Sequence, residues 1–251
     1  MYSINYTLFN GDKFSLRPCL RSYHSDNYCG HCLNCLAAKD DEDGIRYVYE
    51  TKRSLCFSAS LAYDKADGLR KDLASLFIQR MRDNFDAYVR TSLCLSYKDY
   101  EAFKSKHLSF CPRLRHVFVG DYDEYTCLPR YRCLFFVDFG DYREDFICDS
   151  SAVDDFAISF RDMIVKCWFC DVLDFMRFDE HDCFRFANYH LLSDYQYSDD
   201  CFRLFSCDIG SNALDDEVLL DNVENGRFYV TFNGHDYPIP GYIFKRLNLN
   251  I

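Results

Sequence analysis

Three residues near the middle of the chain have the types and spacing to do chemistry: Asp121, Arg130 and Arg132. The stretch from Arg115 to Asp138 reads as two β-strands, His116–Val119 and Tyr131–Val137, joined by a turn-forming loop from Tyr122 to Pro129. Strand alternation predicts Arg130, Arg132, Leu134 and Phe136 on one face. It puts Tyr131, Cys133, Phe135 and Val137 on the other, in a strand that otherwise looks fully buried. Asp121, ending the neighbouring strand, is within reach of both guanidiniums. Two uses are open. The arginines form internal salt bridges with Asp121, or they present guanidinium forks to a phosphate. Arg113 and Arg115 either widen that basic patch or belong to a solvated strand edge.

A second constellation is Cys29-Gly-His-Cys32-Leu-Asn-Cys35. Cys29, Cys32 and Cys35 offer three thiolates at zinc-binding spacing, with a fourth ligand available from Cys19, His24, His31 or Cys56. The remaining cysteines are scattered through apolar segments, as small buried hydrophobes are. Their total, 15, is odd and argues against a complete disulfide framework. Met1 leads into polar, alternating sequence, so no signal peptide is expected. Reduced thiols in a cytoplasm are the expected state, and no run is long enough to span a membrane.

Composition narrows the function classes. Apolar residues make up 49% and aromatics 18%, which excludes a disordered chain. The net charge of −11 repels nucleic acid at long range, so any nucleic-acid site must be a local basic patch. The abundant aspartates fall in loops and near helix starts and read largely as solvated surface.

The elements that must position these residues follow in order. Strand-like alternation opens the chain at Tyr2, Ile4, Tyr6 and Leu8, and a helix is expected from Ala37 to Tyr49 despite the poor helix-forming run Lys39–Gly44. Leu55–Ala62 reads as a strand. Asp67 is a candidate cap for a helix with apolar positions Leu69, Leu73, Leu76, Phe77, Met81, Phe85 and Tyr88, whose polar face carries Arg70, Lys71, Arg80 and Arg82. A short helix is expected around 97–103. After the two central strands come a loop over 140–149, a helix opened by a Ser151/Asp154 capping box, and a strand over 165–175. A helix from His181 to Leu192 follows, then a hairpin at Asn233–Gly234. Strand, helix, strand, strand, helix, strand is the split βαβ order of an α+β, ferredoxin-like core: an antiparallel sheet with helices on one face. One domain over 1–251 is expected, with a cysteine-cluster elaboration (1–53), a core (54–176) and a C-terminal helix and hairpin tail (177–251).

In its order of motifs the chain resembles the replication initiation proteins of microviruses, in particular the gokushovirus-like branch, within the HUH endonucleases. The resemblance rests on the cysteine cluster with Arg46 and Glu50 after it, Ser60-Leu-Ala-Tyr63-Asp64, Phe77-Ile-Gln-Arg80-Met-Arg82, Val119-Gly-Asp121-Tyr122, Ser206-Cys-Asp-Ile209-Gly210 and Tyr237-Pro-Ile-Pro240. It implies single-stranded DNA as the partner, a host helicase and polymerase beside it, and nicking by transesterification in a bacterial cytoplasm. A tyrosine attacks a phosphodiester, leaving a 5′-phosphotyrosine and a 3′-hydroxyl, with Mg²⁺ or Mn²⁺ held by two histidines and an acid. The chain departs from that pattern at Arg130 and Arg132, which stand where the family carries its histidines. Tyr189 matches the nucleophile, while the family's nearby lysines are replaced, and the same tyrosine also reads as a packed helix residue. The resemblance thus leaves two expectations, an initiator with weakened or lost nicking and an inactive descendant that binds nucleic acid or regulates. Arg113, Arg115, Arg130 and Arg132 are the candidate DNA contacts.

Overall fold

The computed structural model describes residues 4–7, 13–16, 33–63, 68–106, 111–122, 126, 128–188 and 201–247. Their contacts divide into two compact units, one drawing on 51–179 and 197–209, the other on 1–50, 180–196 and 210–251.

The first unit is α+β and contains the central pair of strands. Its elements are β3 (Ser54–Ala62), α2 (Lys71–Ser92), α3 (Tyr97–Lys106), β4 (Arg113–Tyr122), β5 (Pro129–Asp138), α4 (Arg143–Phe146), α5 (Ser150–Cys167), β6 (Val172–Phe178) and β7 (Phe202–Phe205). The strands form one antiparallel sheet in the order β6-β3-β5-β4-β7. Since β5 runs antiparallel to both neighbours, β3 and β4 are parallel to each other with β5 inserted between them.

Side-chain alternation decides what each sheet face does. Phe57, Ala59 and Leu61 of β3, Phe118 of β4 and Tyr131, Cys133, Phe135 and Val137 of β5 share one core with the inner stripes of α2 and α5. On α2 that stripe is Ala74, Phe77, Ile78, Met81, Phe85 and Val89, a helical repeat that faces the sheet once per turn. Phe57 and Phe135 both pack on Phe160 of α5, at ring separations of 5.2 and 5.5 Å. Each such ring contributes about 1.5–3 kcal/mol by leaving water. The other face of the sheet buries Cys56, Val117, Leu134 and Phe136, so β5 is apolar on both sides over most of its length.

Several boundaries differ from the sequence expectation. The segment over 140–149 is a 3₁₀ turn at Gly140–Tyr142 followed by α4, not an open loop. The cap of α5 is Asp149, whose carboxylate accepts from the Ala152 N–H at 2.8 Å, in place of the Ser151/Asp154 box. The strand expected over 165–175 begins at Val172, because Met163, Ile164 and Cys167 continue the buried helical stripe of α5. Arg70 occupies the N-cap position of α2 without a side-chain cap, Leu69 precedes the helix, and Leu76 is exposed; Asp67 lies outside the described residues. Strand β6 meets β3 with a register irregularity at Ser60/Leu61.

The second unit comprises β1 (Ile4–Thr7) paired with β2 (Lys13–Leu16), α1 (Leu33–Thr51, all but its last residue), α6 (Glu180–Asn188), α7 (Glu217–Glu224), the hairpin β8 (Tyr229–Phe232) and β9 (His235–Pro238), and α8 (Gly241–Arg246). The hairpin turns at Asn233–Gly234, as expected. Ile45, Val48 and Tyr49 of α1 pack with Phe184, Ala213, Leu219, Phe232, Ile239 and Ile243. The acid-rich run 39–44 is helical after all. Gly44 lies so close to the Phe184 ring that a Cβ would meet it at 2.7 Å, which explains a helix-weakening residue mid-helix. Asp40, Asp43 and Glu50 are buried, so part of the acid is internal and not solvated surface. Asp43 pairs with Arg46 at 3.1 Å, and Glu50 accepts from the Gly210 N–H at 2.9 Å. Arg46 and Glu50 therefore organise this unit's own packing.

Candidate phosphate site on strands β4 and β5

The ladder between β4 and β5 sets the site. Asp121 is directly opposite Arg130, and Val119 opposite Arg132. Tyr131, between the two arginines, is committed to the helix-covered face. It packs edge-on against Trp168 at 5.3 Å, and its hydroxyl accepts from the Arg70 N–H at 2.8 Å, where α2 begins. With Tyr131 anchored there, the two-residue period of a strand obliges Arg130 and Arg132 to point the other way.

On that opposite face both guanidiniums converge on one carboxylate. Arg130 Nε donates to Asp121 Oδ1 at 3.2 Å, and Arg132 Nη2 donates to Asp121 Oδ2. The diagonal partner of a cross-strand pair lies about 7–8 Å away, a span an arginine bridges. The Asp121 side chain is 1% exposed, Arg132 13% and Arg130 30%, so Arg130 is the group most open to a ligand. Formal charge at the triad is +1, carried by two groups that cannot lose their protons at physiological pH.

The same register shows a residue that sequence reasoning missed. Arg203 of β7 pairs with Val119 from the side opposite Arg132, so the row across the sheet reads Asp174, Ser60, Arg132, Val119, Arg203, an acid at one edge and two cations beyond it. The guanidinium of Arg203 lies 5.7 Å from the Phe205 ring. Phe202 can stack on β4 because Gly120 has no side chain; a Cβ there would meet its ring at 2.6 Å. The only hint in the sequence is an arginine within the short apolar run Phe202–Phe205.

Two predicted arginines do not join the triad. Arg113 and Arg115 are on the same sheet face but opposite Asp138 and Phe136, at the far end of the ladder. At about 3.4 Å per residue, roughly 20–27 Å of strand separates them from Asp121. Arg115 is buried. Arg203, in register with Arg132 and two strands away, is therefore nearer the triad along the sheet than Arg113 and Arg115.

A divalent cation does not suit this donor set. Guanidiniums offer no lone pair, so Asp121 is the one donor among the three side chains, and both its oxygens accept from the arginines. Among the described residues no group of three or more His, Cys, Asp or Glu converges as a metal site. Tyr189 lies outside the described residues, as do Cys29 and Cys32; Cys35 falls in α1, without a described side chain. Among the described residues no helix is long and apolar enough to cross a membrane.

One further polar centre sits on β4. His116 Nδ1 and Ser206 Oγ are 2.7 Å apart, and the Ser206 hydroxyl also accepts from the His116 N–H at 2.9 Å. Ser206 N–H in turn donates to the His116 carbonyl at 2.9 Å. The hydroxyl has one proton and two lone pairs, so it accepts from the backbone and still pairs with Nδ1 in either neutral tautomer of the imidazole. Burial, aided by the Arg82 guanidinium, holds His116 down at about 3. Both side chains are buried, so the pair fastens the end of β7 to β4 instead of meeting a substrate.

The chain matches no protein-family model, and comparisons with curated proteins and with solved structures find no significant match.

Proposed function

We propose that this chain is a nucleic-acid-binding protein descended from HUH-type rolling-circle initiators of the microvirus kind, in which metal-dependent nicking has been replaced by phosphate binding. The observation that carries the reading is the pairing of Asp121 with Arg130 and Arg132 across β4 and β5. It falls in a sheet ordered β6-β3-β5-β4, with β5 between the parallel β3 and β4. The order and direction support this reading, since a split βαβ core has the same ones, and on it the triad stands in for the acid and two histidines of an HUH site. Guanidiniums keep the positive charge that a phosphodiester needs and lose the close polarisation a metal supplies. That loss raises the barrier by several kcal/mol, roughly ten-thousand-fold or more in rate. Arg130, Arg132 and Arg203 are the proposed phosphate contacts. Nicking through Tyr189 is the activity the site has given up.

The test pairs cleavage with binding on an origin-like single strand. The unmodified protein is expected to leave the strand intact with or without Mn²⁺ while binding it in a salt-dependent manner. Each lost phosphate contact lowers the slope of log K against log salt by about 0.7. Arg130→Met and Arg203→Met are each expected to reduce the slope by that amount, and Arg130→His with Arg132→His to restore Mn²⁺ affinity. Cleavage that requires Mn²⁺ and disappears in Tyr189→Phe would sink the loss of nicking. A flat salt response would remove the phosphate site.

A further inference from the structure

The β8–β9 hairpin and the N-terminal half of α1 enclose an open cleft of about 610 Å³ that the phosphate reading does not use. Its walls combine two features. Phe228, Tyr229 and Tyr237 supply aromatic surface, and Asp41 and Asp236 supply two carboxylates, with His235 beside them. Asp236 is oriented by the hydroxyl of its cross-strand partner Thr231, which donates to Oδ1 at 2.7 Å. Tyr237 is fixed from behind by the Phe184 ring at 5.2 Å. Tyr229 is more than a third exposed and open to a ligand.

Aromatic faces carry negative quadrupole charge, and carboxylates carry full negative charge, so both wall types select the same ligand sign. From this we infer that the cleft binds an organic cation, a guanidinium or alkylammonium group seated among Tyr229, Tyr237, Asp41 and Asp236. Phosphate is repelled there, which separates this site chemically from the arginines of β5. Burial raises the Asp41 carboxyl, and burial, with a smaller contribution from Asp41, raises the Tyr237 hydroxyl. Two sources share this chemistry, a basic side chain on a partner polypeptide and a free polyamine.

The experiment follows backbone amide shifts of the full chain at pH 7.5 and low salt during titration with N-acetyl-arginine methylamide. The neutral isostere N-acetyl-citrulline methylamide is titrated in parallel. Saturable shifts centred on 229 and 235–237 are expected with the arginine probe, with the citrulline probe about tenfold weaker. Asp41→Asn and Asp236→Asn are each expected to weaken the arginine probe about fivefold. Equal binding of the two probes would overturn the proposal, as would shifts confined to other regions. The probe comparison uses the unmodified protein, so it decides even if a variant fails to fold. Spermidine and an arginine-containing tetrapeptide then separate the two sources. Tighter binding of the peptide assigns the site to a partner's basic side chain, and tighter binding of spermidine assigns it to free polyamine.

Discussion

Two of the buried polar side chains on strand β4 handle burial in opposite ways. At its end Asp121 is surrounded by full charges, the guanidiniums of Arg130 and Arg132. In its middle His116 meets a serine hydroxyl, and burial with the unfavourable field of Arg82 keeps it neutral. The difference lies in what each side chain can give up. An imidazole escapes the cost of burial by releasing a proton, whereas a guanidinium cannot. Arg130 and Arg132 therefore need a carboxylate in place, and Asp121 needs them in turn. The triad is mutually dependent where the His116–Ser206 pair is self-sufficient.

Removing Asp121 should break that contrast most strongly. In Asp121→Ala both guanidiniums lose the carboxylate they share, and losing one member of a buried pair costs about 3–5 kcal/mol. Because Arg130 is nearly a third exposed, its share is reduced and the lower end is expected. Urea denaturation should show the midpoint falling with little change in slope. A loss under about 1 kcal/mol would mean that water, not Asp121, compensates the arginines.

The next effect is acid sensitivity. His116 has a folded pKa of about 3 against an ordinary value of 6.5, so the unfolded chain takes up a proton that the folded chain refuses. Its contribution is complete above about pH 6.5 and is lost as pH falls towards 3, with a slope approaching about 1.4 kcal/mol per pH unit. Between pH 6.5 and 4.5 His116 should account for about 2–3 kcal/mol of lost stability. His116→Gln, compared with the unmodified chain across that window, should remove this component. Parallel pH profiles for the two proteins would show that His116 does not titrate with unfolding.

Much of this arrangement was legible in the sequence, and the exceptions have physical reasons. The alternation in β5 was sufficient to place Arg130 and Arg132 together, because apolar residues at every second position leave a strand one choice of face. The proximity of Asp121 followed from a hairpin. The reach of Arg113 and Arg115 did not, since face can be read from alternation but position along a ladder depends on register. Arg203 was hidden because β7 is four residues long and pairs with β4 across some eighty positions of chain, a contact no local pattern encodes. Strand β6 was placed early because Val165–Phe175 is apolar enough for either structure, and the buried helical stripe through Cys167 decided the matter. The buried acids of α1 were invisible for the opposite reason: acid-rich sequence signals solvent unless tertiary partners such as the Gly210 N–H, which Glu50 meets across 160 positions, are known.

The smallest expected effect tests whether the His116–Ser206 pair is self-sufficient. The Ser206 hydroxyl satisfies both the His116 backbone N–H and Nδ1, while the Ser206 N–H to His116 carbonyl bond belongs to the backbone and survives mutation. Ser206→Ala therefore leaves the buried His116 N–H and Nδ1 unmet, at a cost of about 1–2 kcal/mol. Ser206→Thr restores the hydroxyl and should recover most of that loss. The readout that separates hydrogen bonding from mere packing is amide exchange at His116. It should accelerate in Ser206→Ala and return in Ser206→Thr, while exchange at Asp121 stays unchanged. If Asp121 is deprotected along with His116, the two centres are coupled through β4, and the triad would owe part of its order to the neutral pair beside it.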